Sequence, residues 1–282
     1  MKRFSLSRLG SALLLLQATA CVGVTNTLTA DTVGKGKTQV AIAPSYVRGM
    51  GEGMGEAGFL VGAQAQVLHG VSNTSDVGAR LTYQRAFLND DFDSTGADST
   101  VAGYGAEFLS RFQISRSNKL ILSVAPSVGY NRLSASASQG NVSVSSGINA
   151  FQAKLPLLVG VPVGEHQFVA SLSVSDAIFL SGSDELGNTN TINAGATVGF
   201  AARIPGTSVR IIPEVGMLYP LVGSIPGEGS SFNESGGFYL QFGLGVMFGG
   251  GGGRAVQSED GEEVQEEEQQ EEEDEEGYDS EY

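Results

Sequence analysis

Residues 238–248 read Phe-Tyr-Leu-Gln-Phe-Gly-Leu-Gly-Val-Met-Phe, and no other stretch limits the available folds so tightly. Every second residue is large and apolar: Phe238, Leu240, Phe242, Leu244, Val246 and Phe248. Between them stand Tyr239, Gln241, Gly243, Gly245 and Met247. A period of two puts the two sets on opposite faces of a strand. A soluble sheet rarely shows water so complete an apolar stripe. A membrane barrel needs one on every strand, because its outer face touches lipid tails.

The same alternation recurs along the chain. Runs are readable at about 38–48, 57–68, 76–87, 100–114, 119–132, 147–163, 167–181, 191–204, 208–221 and 237–248. The third carries Val77, Ala79, Leu81 and Tyr83; the fifth carries Leu120, Leu122, Val124, Pro126, Val128 and Tyr130. Before residue 249 no long stretch keeps a helical period. The odd-numbered connections hold 8, 12, 14, 9 and 15 residues, and the even-numbered ones 7, 4, 3 and 3. A sandwich has no reason to gather its long loops at one end, whereas outer-membrane barrels keep short turns on the periplasmic side. The pattern predicts an all-β fold: an antiparallel up-and-down transmembrane barrel of ten strands over 38–248, with eight as the alternative count. Both termini then fall on the periplasmic side. Pro44, Pro126, Pro156 and Pro213 each remove a ladder donor. Asp176 falls on the apolar phase of its run, marking either emergence from lipid or a bulge.

Residues 238–248 also resemble the closing strand of bacterial outer-membrane β-barrels, which ends in an aromatic residue read by the barrel-insertion machinery. The resemblance implies that role for Phe248, with Phe242 on the same stripe. In that family the aromatic residue ends the chain, whereas here 34 residues follow. The body as a whole resembles a small porin-like barrel.

Met1-Lys2-Arg3, Arg8, the apolar run Leu9–Leu16 and Ala18-Thr19-Ala20 compose a secretory signal over residues 1–20. Cys21 follows directly, in a setting that resembles a bacterial lipobox with Ala18 where Leu is usual. A lipid anchor on Cys21 is one reading; ordinary cleavage there, or later after Ala30, is the other. Residues 21–37 read as a periplasmic linker. Within it Gly34-Lys35-Gly36-Lys37-Thr38 has a phosphate-loop look, but Asp31 stands where the first Gly is required.

The net charge of −15 is local. Residues 254–282 hold 15 acids and one Arg, leaving 16 acids against 15 bases elsewhere. No basic stripe suits nucleic acid. The tail 249–282, Gly-rich and then acidic, is expected to be disordered. It offers a docking surface for a basic periplasmic partner. The single cysteine excludes a disulfide framework, and no cofactor motif is present.

The inward phase offers Arg80, Glu107, Arg111, Lys154, Arg203, Arg210 and Glu214, with Gln84, Gln152 and Gln241. In a narrow lumen opposite charges must pair, since an unpaired buried charge costs several kcal/mol. They form either a plug of ion pairs or the lining of a narrow polar channel. No catalytic set is read. Omptin-type proteases and barrel lipases are ten-strand or related barrels whose chemistry needs His, but His69 and His166 fall in short, periplasmic-side connections. Asp91, Asp93 and Asp98 resemble the start of a calcium loop, yet Ala102 stands where the closing Glu belongs. The reading is thus a non-enzymatic outer-membrane barrel, porin-like or structural, with outer-membrane lipids as its surroundings. It would serve as one component of an envelope-spanning assembly for motility or export. The rivals are a secreted soluble β-sandwich that binds a ligand and an outer-membrane hydrolase.

Overall fold

The computed structural model describes residues 27–50, 58–88, 98–139, 142–180, 189–223 and 237–250. Their strands are β1 (Thr38–Met50), β2 (Gly58–Gly70), β3 (Ser75–Leu88), β4 (Asp98–Arg116), β5 (Ile121–Val124), β6 (Ser127–Gln139), β7 (Val142–Val163), β8 (His166–Leu180), β9 (Thr189–Arg203), β10 (Arg210–Gly223) and β11 (Phe238–Gly249). All pair antiparallel with their neighbours, and β1 pairs with β11, Val40 opposite Phe248. Strands β5 and β6 both lie between β4 and β7 and act as one stave broken at Ala125-Pro126. The sheet is therefore a closed barrel of ten staves. Closure leaves no unpaired edge, the condition for a sheet to sit in hydrocarbon.

The wall is inside out relative to a soluble protein. Along β8, Phe168, Ala170, Leu172, Val174 and Ile178 are exposed, while Gln167, Ser171 and Ser175 between them are buried. Phe242, Leu244 and Phe248 of β11 face outward in the same way, and Gln241 is buried. With an apolar outside and a polar inside, the fold is an integral outer-membrane β-barrel. The turns at 71–74, 117–120, 164–165 and 204–209 share one end with Thr38 and Gly249, which makes that end periplasmic.

Three details differ from the sequence reading. The fifth connection is not a 14-residue loop: β6 runs on to Gln139 and β7 starts at Val142, with Ser134 opposite Gly147 and Ser136 opposite Ser145. These rungs alternate small residues, so no large apolar side chain marks them. Asp176 causes no bulge; it sits in unbroken register between Ala153 and Ile192. Residues 27–33 lie in the stretch expected to be a linker, yet every one of them is buried. Cys21, the signal 1–20, Asp91, Asp93 and the tail from 251 lie outside the described residues.

Candidate functional site

The lumen is stacked in layers. Its middle is charged: Arg80 on β3, Glu107 on β4 and Lys154 on β7 converge. Glu107 Oε2 lies 3.3 Å from Arg80 Nη1, and its Oε1 lies 3.0 Å from Lys154 Nζ. Arg80 also donates to Gln66 Oε1 at 3.0 and 3.2 Å. Beside them Asn131 Nδ2 donates to Gln152 Oε1 at 2.8 Å. One carboxylate thus serves two cations in a space nearly closed to water. That is the arrangement a buried charge requires, because each unpaired member would carry its desolvation cost alone. Rungs pair Arg80 directly with Glu107, so the ladder itself sets this contact.

Towards the periplasm the lumen is filled by the chain's own N-terminal segment. Leu28, Ala30 and Val33 join Leu68, Leu109, Ile121, Ala125 and Leu158 in one apolar cluster. The backbone of the segment is tied to side chains of the wall. Gln66 donates to Thr27 O at 3.2 Å, and Gln64 bonds Thr27 Oγ1. Arg111 donates to Thr29 O at 2.8 Å. Ala30 N donates to Gln167 Oε1 at 3.1 Å, and Ser123 donates to Ala30 O. Val33 N donates to the Asp76 carboxylate at 3.1 and 3.2 Å. Arg210 Nη1 reaches Asp31 Oδ2 at 3.3 Å. Thr32 Oγ1 donates to Asn73 O in the first periplasmic turn at 2.7 Å. Six strands and one turn thus bond a segment of seven residues. A strand-less backbone can be buried only if its polar groups find partners, and the inward Gln, Ser, Arg and Asp side chains supply them.

Two wall glycines make room. A Cβ on Gly160 would stand 2.7 Å from Ala30 Cβ, and one on Gly70 would stand 2.0 Å from Gly34 O. At the mouth Gly36 N donates to Gly70 O at 2.8 Å and Gly70 N to Lys37 O at 2.9 Å. Gly34 and Gly36 adopt φ of 90° and 71°, which glycine alone takes cheaply. The Gly-Lys-Gly-Lys stretch is the turn that carries the segment from the lumen into β1.

Asp31 precedes the first strand and sits at this mouth. Burial pushes its carboxyl up. Arg210 and Arg111 more than offset that and hold it below the usual carboxylate range.

The residues read from the sequence divide between these layers. Arg80, Glu107 and Lys154 meet in the middle layer, and Gln84 and Gln241 are buried in the wall. Arg111 pairs with Asp76 and Arg210 with Asp31 nearer the periplasm. Arg203 does not join them. It lies at the rim, 3.7 Å from the exposed Glu165, and donates to Thr207 O at 3.0 Å. Glu214 faces inward against Gly199. Asp76, Asp31, Gln66, Ser123 and Gln167 were not singled out from the sequence. Asp76 and Gln66 sit on inward phases that the alternation already defines. Asp31 has no such signal, since its segment carries no strand period. The histidines hold the periplasmic end together: His69 Nδ1 lies 3.0 Å from Thr38 Oγ1, and Arg203 N donates to His166 Nδ1 at 3.1 Å. Among the described residues no cluster of His, Cys, Asp or Glu is arranged to hold a metal.

The sequence matches no protein-family model and none of the curated proteins compared with it. Solved structures with a similar fold include three barrels. The translocator domain of autotransporter NalP from Neisseria meningitidis is 13% identical, with 86% of this chain and 97% of that chain covered and a TM-score of 0.45. The β domain of the Bordetella autotransporter BrkA is 11% identical, covering 75% and 99% at 0.45. An outer membrane channel from Pseudomonas putida F1 is 10% identical, covering 79% and 100% at 0.40.

Proposed function

We propose that this protein is a non-catalytic outer-membrane barrel held shut by its own N-terminal segment, acting as a membrane-fixed platform rather than as a standing open pore. The observation that carries the reading is the seating of residues 27–33 across the lumen by side chains from six strands. The charged layer above it adds a second closure. A ten-stave barrel is only slightly wider than one that side chains alone can fill, so one added segment is enough to close it.

The platform part of the reading rests on charge. The barrel delivers Gly249 to the periplasmic end, and the 15 acids of 254–282 follow it. A block of like charge at that density suits a basic partner in the periplasm, as in an envelope-spanning assembly for motility or export. A lipid on Cys21 would tether the same end: five residues separate it from Thr27, a reach of about 20 Å when extended. Phe248 stands near the end of β11, opposite Val40, and that position supports reading it as the signal for the insertion machinery.

Planar-bilayer recording tests the closure. The intact barrel is expected to be silent, and a variant lacking residues 27–33 to show conductance steps. A steady open level from the intact protein would make it a pore. Pull-downs with and without residues 254–282 test the platform: the expected complex weakens with salt and vanishes with the tail.

A further inference from the structure

The outward face of the barrel carries almost no charge until one level is reached. From the periplasmic turns upward, the outward phase of the described staves holds no Lys, Arg, Asp or Glu, apart from Arg116 at a turn, for the first nine residues. Then four charged residues occur. Arg48, Arg85 and Arg132 lie 10, 10 and 11 residues beyond Thr38, Ser75 and Ile121, where their staves begin. Asp176 lies 10 residues beyond His166. With strands tilted about 40°, each residue climbs about 2.5 Å, so this level stands about 25–28 Å above the turns. An apolar band about 25 Å tall ends there. The four charges mark the outer-leaflet headgroup plane.

The three arginines are not spread evenly. All belong to the wall formed by β1 to β6, and the opposite wall at this level has Asp176 alone among the described residues. Within their wall they share one aromatic surface. Arg48 stands opposite Phe59. The Phe59 ring stacks on Phe87 at 5.2 Å, and Arg85 Cζ lies 5.3 Å from the centre of the Phe87 ring. Tyr83 and Tyr104 lie 5.2 Å apart, and Tyr104 stands opposite Arg132.

Two of the guanidiniums lean towards the outer rim. Arg85 reaches over Phe87, two residues further out. Arg132 has Asn149 opposite it, yet its Nη2 lies 3.8 Å from where a Cβ on Gly147 would stand, again two residues further out. A guanidinium at the edge of hydrocarbon extends towards the polar side. No carboxylate among the described residues pairs with any of the three. Exposed cations at a headgroup plane, two of them leaning outward and none paired with a carboxylate among the described residues, match anions that lie in that plane.

We propose that the outer edge of the β1–β6 wall is a binding site for the phosphate groups of anionic lipid in the outer leaflet, held by Arg48, Arg85 and Arg132. Guanidinium matches phosphate with two parallel hydrogen bonds, and the rings beneath offer acyl chains an apolar seat. The Asp176 wall repels the same headgroups, so the bound lipid occupies one side of the barrel. The inference is independent of how the lumen is closed.

The test uses the full-length barrel purified from outer membranes in mild detergent. Bound phosphorylated lipid is counted by native mass spectrometry and phosphorus assay. Three proteins are compared: wild type, Arg48→Gln/Arg85→Gln/Arg132→Gln, and Lys35→Gln/Lys37→Gln/Lys119→Gln, which removes three exposed cations at the periplasmic end. Heat-modifiable gel migration verifies that each is folded, and Arg85→Gln alone replaces the triple variant if that one does not fold. The wild type and the lysine variant are expected to retain lipid phosphate, and the arginine variant to lose it several-fold. In refolded samples, vesicles of phosphatidylcholine with bis-phosphorylated lipid A should raise the melting temperature of wild type and not of the arginine variant. Equal retention in all three proteins, or an equal melting shift, overturns the proposal. So does a wild-type shift reproduced in detergent by inorganic phosphate alone, which would assign the site to a free anion.

Discussion

Arg111 donates from Nε to Asp76 Oδ2 at 2.8 Å, with neither side chain open to solvent. The pair joins β3 to β4, where the two residues stand opposite each other, and each partner also grips the N-terminal segment. Asp76 accepts from Val33 N, and Arg111 donates to Thr29 O. One ion pair therefore belongs to the wall and to the closure at once.

Asp76→Ala should expose that double role. It leaves Arg111 buried without its paired carboxylate, a loss of about 3–5 kcal/mol, and it frees Val33 N. The expected result is a lower urea midpoint together with proteolysis within 27–33. A variant that loses wall stability while the segment stays protected would show that Asp76 serves the wall alone.

Asp31 gives the closure a pH dependence of known sign. Its carboxyl is held below the usual range in the folded state, so folded Asp31 binds its proton less readily than the unfolded chain does. Its contribution is fully present above the ordinary carboxylate pKa and is lost as pH falls through the lowered folded value. Segment protection, measured by limited acid-tolerant proteolysis, should be flat around neutrality and fall only in strong acid. Asp31→Asn should remove that fall and start from weaker protection.

Gly160→Val tests the space the segment occupies. Gly160 is fixed by rungs to Ile121 and Val169, so the wall cannot retreat. The added Cβ would meet Ala30 Cβ at 2.7 Å and Gln167 Nε2 at 2.8 Å. The barrel should still migrate as a heat-modifiable species. The segment should be displaced, with conductance steps in planar bilayers like those of the 27–33 deletion. A silent, protease-resistant variant would count against the closure.

The staves were legible in the sequence because hydrocarbon imposes period two wherever a strand meets it. Val40, Leu81, Leu172, Val198 and Phe248 announce both strand and phase. Legibility failed where that pressure ends. Ser134 to Gln139 rise past the headgroup plane, so nothing requires large apolar residues there. Residues 27–33 touch no lipid and make no ladder, and their fit depends on distant side chains such as Gln167 and Ser123. Inward charges could be found from phase alone, but their partners could not. Arg203 shares the inward phase with Arg210, yet only Arg210 is within reach of Asp31.

The depth scale itself can be measured on one strand. Leu172 is 63% exposed and lies six residues above the start of β8, near the middle of the apolar band. Ile178 also faces outward, but two residues beyond Asp176 and so outside the band. An arginine facing lipid near the midplane costs about 2–4 kcal/mol, and near the interface about 0–1. Leu172→Arg should therefore destabilise the barrel in vesicles by about 2–4 kcal/mol, whereas Ile178→Arg should change it little. Reversible denaturant unfolding in lipid, followed by intrinsic tyrosine fluorescence and gel shift, gives both values. In a water-soluble sandwich the same two exposed positions would accept arginine equally well, so equal small effects would remove the membrane from the account.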